Sequence, residues 1–275
     1  MTYFTFLCLF LGVPLAVLGG LTWRDARQGL RLPPELSGAP VAITIVAHIF
    51  VAVLYTTPWD NYLVANSVWW YDANLVTGLT IGWVPIEEYT FFVLQTILTS
   101  LWLVFLARRL VQPAAFQPRP RLRWISTVVA GIFWLASALV LTTGWPPGTY
   151  LALILIWALP PIMVQFLFGA DILWQQRRLV SLTLIPITLY LAAADALAIT
   201  SGTWTISPAQ SLVIDLAGVL PVEEFVFFLL TNTLIVFGVT LVQSRSSHQR
   251  TQALLNRLHR QDGGHDRWQT IEGQR

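Results

Sequence analysis

Long apolar runs separated by short polar connections set the pattern of this chain. Seven stretches come close to the ~20 residues needed to cross a bilayer as a helix. They are Tyr3–Leu21, Pro40–Tyr55, Val84–Leu106, Trp124–Leu141, Tyr150–Ala170, Val180–Ala198 and Leu220–Val242. The first run has no Arg or Lys before it and no clear small-x-small cleavage site after it, so it reads as a transmembrane helix rather than a leader. The connections sort cleanly by arginine. Arg24, Arg27 and Arg31 follow span one, Arg108 to Arg123 follow span three, Arg177 and Arg178 follow span five, and Arg245 to Arg275 follow span seven. The connections Thr56–Trp83, Thr142–Thr149 and Ile199–Val219 carry none. By the positive-inside rule the N-terminus is outside and the C-terminus cytoplasmic.

Within this pattern lies a repeat. GWVPIEEYTFFVL (Gly82–Leu94) matches GVLPVEEFVFFLL (Gly218–Leu230) at one offset, 218 minus 82 or 136 residues. Pro85 pairs with Pro221, Glu87 with Glu223, Glu88 with Glu224, Phe91 with Phe227 and Phe92 with Phe228. Upstream, Asp60 and Asp195 close the preceding spans, Trp69 or Trp70 and Trp204 follow, and Pro14 and Pro161 sit in spans one and five. Spans one to three therefore repeat as spans five to seven, with span four as linker. Each helix and its copy run in one direction, so the repeats are parallel, related by an axis along the membrane normal. The expected fold is an all-α membrane protein with seven transmembrane helices in a 3+1+3 arrangement. Its parts are 1–110, the linker 111–147 with span four, 148–243, and the polar tail 244–275.

Composition agrees: 55% of residues are hydrophobic and 11% charged, against about 25% charged in soluble domains. A net charge of +2 gives no footing for nucleic acid, and the single cysteine, Cys8, rules out an intrachain disulfide and reads as a packing residue. His48, alone in mid-span, reads as a hydrogen-bonded packing residue rather than a metal ligand. In the tail, a short amphipathic stretch at Ala253–Leu258 suits the membrane surface, and the spacing of Asp262 and Asp266 reads as a solvated tail rather than a diphosphate site.

The apolar stretches around the two motifs are too long for one span each, and each contains Gly-x-x-Pro. Proline disfavours helix before itself and suits the first turn of a new one. A break is expected there, with an outer half-helix or re-entrant piece before the true span. One glutamate at a helix start reads as a cap supported by the macrodipole. Four in two matched motifs inside a membrane point to function. Adjacent glutamates cannot both ionise cheaply where water is scarce, so an acid and a base are expected side by side. Helical spacing puts Glu88, Phe92 and Gln95 on one face, and Glu224, Phe228 and Thr231 on another, with Glu88 and Glu224 turned inward. Phe91, Phe92, Phe227, Phe228, Trp83 and Trp204 are candidates to face a substrate cation. Asp60, Asp195, Pro85, Pro221, Gln95, Thr231 and Asn232 are candidate supports. No metal site is expected.

TPWDNYLV (Thr57–Val64), VPIEEYTFF (Val84–Phe92), ADALAI (Ala194–Ile199), GTW (Gly202–Trp204) and LPVEEFVFFLLTN (Leu220–Asn232) together resemble the membrane-embedded lycopene cyclases. That family occurs as two small subunits, as one fused chain, or joined to phytoene synthase; this chain looks like the fused form without the synthase. The resemblance covers nearly everything up to about Gln243. It implies an isomerase that closes the linear ψ-ends of lycopene, or a related linear carotenoid, to β-rings with no net redox change. Glu87, Glu88, Glu223 and Glu224 would carry it, in one site shared by both halves. It implies no cofactor, and no Gly-x-Gly-x-x-Gly follows a strand to form the flavin site of the unrelated soluble-type cyclases. A multi-pass protein of the cell membrane is expected, and a homo-oligomer or an association with other carotenoid enzymes stays open. Two other readings compete. One is a 3+1+3 membrane transporter, although the Pro-Gln motifs of such sugar transporters are missing. The other is a carotenoid hydratase, in which water captures the same cation.

Overall fold

The computed structural model describes residues 1–111 and 116–257, so Asp262 and Asp266 lie outside the described residues. Among the described residues, seven helices are long and apolar enough to cross a membrane. They are α1 (Tyr3–Arg27), α2 (Val41–Ala65), α3 (Ile86–Ala107), α4 (Pro120–Thr143), α5 (Thr149–Gln175), α6 (Arg177–Thr200) and α7 (Val222–Gln243). After Ser244 the chain is helical again over 245–257. In lipid every backbone polar group must be satisfied internally, and helices do this without a partner.

The expected spans recur with shifted ends. Span two runs ten residues beyond Tyr55, to Ala65, straight through Pro58. Asp60 therefore lies inside the helix rather than closing it. In α1 the turns Leu7–Gly12 widen to a π-helix just before Pro14, whose missing N–H cannot bond to the turn before it. Cys8 faces outward and is exposed, which corrects its reading as a packing residue.

Burial ranks the helices. In α3 and α7, 56% of the apolar stretch is buried, against 11% in α2 and α4, so α3 and α7 form the middle of the bundle. They pack on each other; α3 also meets α1, α2 and α6, and α7 meets α2, α5 and α6. Polar side chains fasten them where hydrocarbon offers no alternative partner. Gln95 Nε2 donates to Thr231 Oγ1 (3.1 Å) and Asn232 Oδ1 (3.2 Å), and Thr99 Oγ1 donates to Asn232 Oδ1 (3.0 Å). At the arginine-rich end, Asp25 pairs with Arg109 (2.6 Å) and Asp171 with Arg250 (2.7 Å), each aspartate almost fully buried.

The long connections at the other end fold into small strands. These are β1 (Trp69–Tyr71), β2 (Thr80–Ile81), β3 (Val84–Pro85), β4 (Trp204–Ile206), β5 (Asp215–Leu216) and β6 (Leu220–Pro221). β2 pairs with β3 and β5 with β6, as tight hairpins. β1 pairs antiparallel with β4, with Trp69 opposite Ile206, Trp70 opposite Thr205 and Tyr71 opposite Trp204. The expected break before α3 and α7 is present. It is a two-stranded hairpin, which corrects the expectation of an outer half-helix. Gly82 and Gly218 sit at φ 68° and 72°, where a left-handed residue turns the chain back on itself and no helix can run through.

Candidate active site

The hairpins aim the glutamates. Pro85 and Pro221 hold extended backbone as N-caps, and the first turns of α3 and α7 follow at once. Ile86 N–H donates to Leu79 O and Val222 N–H to Ile214 O, both at 2.9 Å, so each turn is tied to its own connection. Gly82 is doubly required, since a Cβ there would lie 2.1 Å from Asn61 Oδ1, which accepts the Trp83 N–H at 2.7 Å.

Adjacent glutamates point in different directions. Glu87 and Glu223 are fully buried and turn back to the loops: Thr77 N–H donates to Glu87 Oε1 (2.6 Å) and Leu212 N–H to Glu223 Oε1 (2.7 Å). Glu88 and Glu224 turn inward and line one chamber of about 40 Å³ between the two halves. The facing carboxyls thus come from different helices, not from one Glu-Glu dipeptide.

Tyrosines hold both. Tyr3 Oη donates to Glu88 Oε2 in a short hydrogen bond, Tyr71 Oη donates to the same oxygen at 3.1 Å, and Tyr150 Oη donates to Glu224 Oε1 at 2.5 Å. Tyr3 and Tyr150 are placed by matching backbone bonds: their N–H groups donate to Leu75 O (2.8 Å) and Gln210 O (2.9 Å) of the two outer connections. Tyr71 stands on β1, outside the spans. Burial, with the Glu88 and Asp60 carboxyls nearby, pushes its phenol well above the usual range, so it stays a proton-bearing donor.

Aspartates flank the pair unequally. Asp195 lines the chamber and accepts from Trp204 Nε1 at 3.0 Å. Asp60 is buried with neither oxygen partnered, because Trp69 Nε1 donates to Tyr71 Oη instead (3.0 Å). Aromatic rings supply most of the remaining wall: Phe91, Phe227, Phe228, Trp69 and Trp204. Phe91 and Phe228 meet edge-on at 6.1 Å, an arrangement that leaves ring faces available to a cation.

A relative in Halobacterium salinarum named lycopene beta-cyclase is 36% identical over 240 residues, which cover 87% of this chain and 95% of that protein. The chain belongs to the lycopene cyclase family. Two fungal relatives, both named bifunctional lycopene cyclase/phytoene synthase, extend the likeness. That of Gibberella fujikuroi is 39% identical over 71% of this chain and 34% of its own length; that of Podospora anserina is 39% identical over 72% and 35%. No family model matches the chain, and no solved structure matches it.

The residues expected from sequence in this lycopene cyclase family member divide by place. Glu88, Glu224, Asp195, Phe91, Phe227, Phe228 and Trp204 reach the chamber. Phe92, Gln95 and Thr231 line a second cavity, Thr231 and Asn232 accept from Gln95 across the α3–α7 contact, and Asn232 Nδ2 donates to Thr188 Oγ1 of α6 (3.3 Å). Trp83 is 67% exposed and takes no part in the chamber, which corrects its reading as a cation-facing ring. Tyr3, Tyr71, Tyr150 and Trp69 were not among the sequence candidates. A signal for two of them existed: Tyr3 and Tyr150 stand at the same separation as Pro14 and Pro161. Tyr71 had none, since its counterpart on β4 is Ile206.

Proposed function

We propose that the chain is a lycopene β-cyclase whose single chamber closes the ψ-end groups of lycopene by acid–base catalysis. The observation that carries this is the pair of inward glutamates, Glu88 and Glu224, each held by tyrosine hydroxyls in one aromatic chamber. A carboxylic acid adds a proton to the terminal double bond of the ψ-end. The resulting tertiary cation is attacked by the next double bond, which forms the ring bond and leaves the positive charge on the other carbon of that double bond. A carboxylate then removes a proton from the adjacent ring carbon to leave the β-ring, so protons balance and no electrons are exchanged. Aromatic faces stabilise the cation without capturing it, and exclusion of water prevents hydration.

The two carboxyls are not equivalent. Glu88 receives two hydroxyl donors and Glu224 one. Charge-assisted hydrogen bonds favour an anionic acceptor, so Glu88 is assigned as the proton acceptor and Glu224 as the donor. Glu87 and Glu223 position them by anchoring the loops that enter α3 and α7. Asp195 and Asp60 are supporting acids beside the pair.

The same reading covers the architecture. Parallel repeats, 1–110 and 148–243, with 111–147 as linker and 244–275 as tail, are supported by the register between β1 and β4. Trp69 and Trp204 are counterparts, and each lies opposite the residue two places after the other. Such self-complementary pairing belongs to a two-fold axis. Gln95 and Thr231, also counterparts, meet between α3 and α7. The arginine distribution supports an outside N-terminus and a cytoplasmic C-terminus in the cell membrane. Expression in lycopene-accumulating cells followed by pigment analysis tests the activity. Appearance of one-ring and two-ring carotenes is expected; unchanged lycopene, or a hydroxylated acyclic product, would overturn it.

A further inference from the structure

The acid–base chamber is too small to hold the substrate it would act on. At about 40 Å³ it has room on the scale of a water or two. Directly beside it lies a second cavity of about 390 Å³, an order larger, within the spans. Its shape follows the helices. On α7 the lining runs from Phe227 through Thr231 and Ile235 to Val242, a rise of roughly 22 Å at 1.5 Å per residue. On α2 it takes His48, Ala52 and Tyr55, again one face read at helical spacing. The cavity is therefore a rod lying along the bundle.

Its chemistry is that of a hydrocarbon site. Most polar groups on the lining are already committed within the protein. Thr96 Oγ1 donates to Phe92 O (2.8 Å), Thr231 Oγ1 to Phe227 O (2.9 Å), Gln165 Nε2 to Leu234 O (2.9 Å), and His48 Nδ1 bonds with Thr44 O (2.7 Å). Gln165 Oε1 and Trp157 Nε1 are left without partners. An apolar ligand thus has little to desolvate on entering. The two spaces share one wall, the ring of Phe227. That ring belongs to a stack with Trp59 and Trp157, at 5.9 and 6.3 Å.

We propose that this second cavity seats the linear polyene chain of the substrate, and that Phe227 is the door through which one end group at a time passes into the acid–base chamber. The inference rests on the cyclase reading and deepens it. Binding energy along the rod positions the distant end group, the usual use of remote contacts. It also accounts for a single chamber serving both ends of a symmetric substrate: the molecule leaves the rod and re-enters the other way round.

The test places bulk in the rod, away from the glutamates. Ala52→Trp fills the cavity in the full-length protein. In parallel, Ala52→Cys in a Cys8→Ser background is purified folded and then labelled with a benzyl thiosulfonate, which a reductant removes. Two readouts are taken before and after labelling: binding of lycopene, from the shift of its absorption band, and turnover. Turnover is measured on lycopene and on a short acyclic terpenoid carrying the same ψ-end. Expected is a fall in lycopene binding and turnover of at least tenfold in Ala52→Trp and on labelling, recovered on reduction, with a loss on the short substrate at least ten times smaller. Unchanged lycopene binding in Ala52→Trp or in protein of confirmed added mass, or equal losses on the two substrates, would overturn it. A wild-type protein that binds lycopene in the rod but leaves it acyclic would instead defeat the cyclase reading, and the binding arm would still decide this one.

Discussion

Two neighbouring glutamates in one turn have opposite fates because successive helical positions diverge by about 100° around the axis. Glu88→Gln and Glu224→Gln are each expected to lower turnover by about 10²–10⁴-fold, the usual contribution of a positioned acid or base. Glu87→Gln keeps an acceptor for the Thr77 N–H and is expected to stay within about tenfold of wild type on the same scale. Pigment quantification in lycopene-accumulating cells checks all three; equal loss at Glu87 would make it a partner in the chemistry. Tyr150→Phe removes the hydroxyl that holds Glu224 without changing the ring. Glu224 becomes a carboxylate as it gives up its proton, and a hydrogen bond to a charged group contributes about 1.5–3 kcal/mol, so a fall of about 10- to 100-fold is expected. Because the effect is on the reacting carboxyl, it belongs in kcat with KM little moved. The inward turn of Glu88 and Glu224 was legible from helical spacing in the matched motifs, whereas the turn of Glu87 and Glu223 to the loops depends on the Thr77 and Leu212 amides and was not. Tyr3, Tyr71 and Tyr150 were not legible either, because a membrane protein carries aromatic residues in its interfacial belts anyway, and a tyrosine aimed inward looks the same in one dimension.

At the scale of the elements, the two hairpins are what give the glutamates their direction, and their glycines are not equally constrained. Gly218, at φ 72°, has open space where a Cβ would go, whereas a Cβ on Gly82 would strike Asn61. Gly218→Ala therefore meets only the left-handed backbone penalty, about 1–2 kcal/mol. Gly82→Ala meets that and the displacement of Asn61, which also frees the Trp83 N–H. Thermal unfolding in detergent is expected to show a larger drop in Tm for Gly82→Ala; equal drops would mean that Asn61 yields freely. The existence of a break at each Gly-x-x-Pro was readable, because proline and glycine act locally. Its form was not: whether the chain before the break coils or folds into a hairpin depends on Leu79 and Ile214 being in place to accept the first amide of the next helix. The extension of α2 past Tyr55 was hidden for a related reason. The segment TTPWDN looks like a loop by polarity and proline, yet it is helical, and its polar side chains turn back to the helix itself: Thr57 Oγ1 donates to Val53 O (2.6 Å) and Asn61 Nδ2 to Thr57 O (2.9 Å).

For the whole molecule, the decisive property is that no half contains a chamber. Glu88 comes with Tyr3 and Tyr71 from the first three spans, Glu224 with Tyr150 from the last three, and the walls alternate: Phe91 and Trp69 from one side, Phe227, Phe228 and Trp204 from the other. The contacts that join the halves run the full depth, from the β1–β4 pair through Tyr3 tilted against Trp204 (4.9 Å) and Gln95 with Thr231 to Gln243 Nε2, which donates to Thr44 Oγ1 (2.9 Å). Each half also carries its own tie at the arginine-rich end, Asp25 with Arg109 and Asp171 with Arg250. Helix α4 packs mainly along α5, so it travels with the second half. A chain divided between Arg109 and Pro120 thus separates into two pieces that keep their internal contacts and lose only the covalent connection. Co-expressed, the pieces are expected to assemble and cyclise lycopene; expressed singly, neither is expected to act, because each brings only one of the two facing glutamates and half of an aromatic wall. The same arrangement allows a sharper measurement. Pairing a first piece bearing Glu88→Gln with a second bearing Glu224→Gln leaves every assembly with two defective carboxyls, while mixing in the wild-type first piece restores only the Glu88 side. If both carboxyls serve each turnover, every mixture that lacks a wild-type copy of either piece stays at least about 10²-fold below the wild-type pair in ring formation. Ring formation by either piece alone, or at a rate near that of the wild-type pair by a mixture with a single intact glutamate, would mean that the halves work independently and that the shared chamber is not where the chemistry occurs.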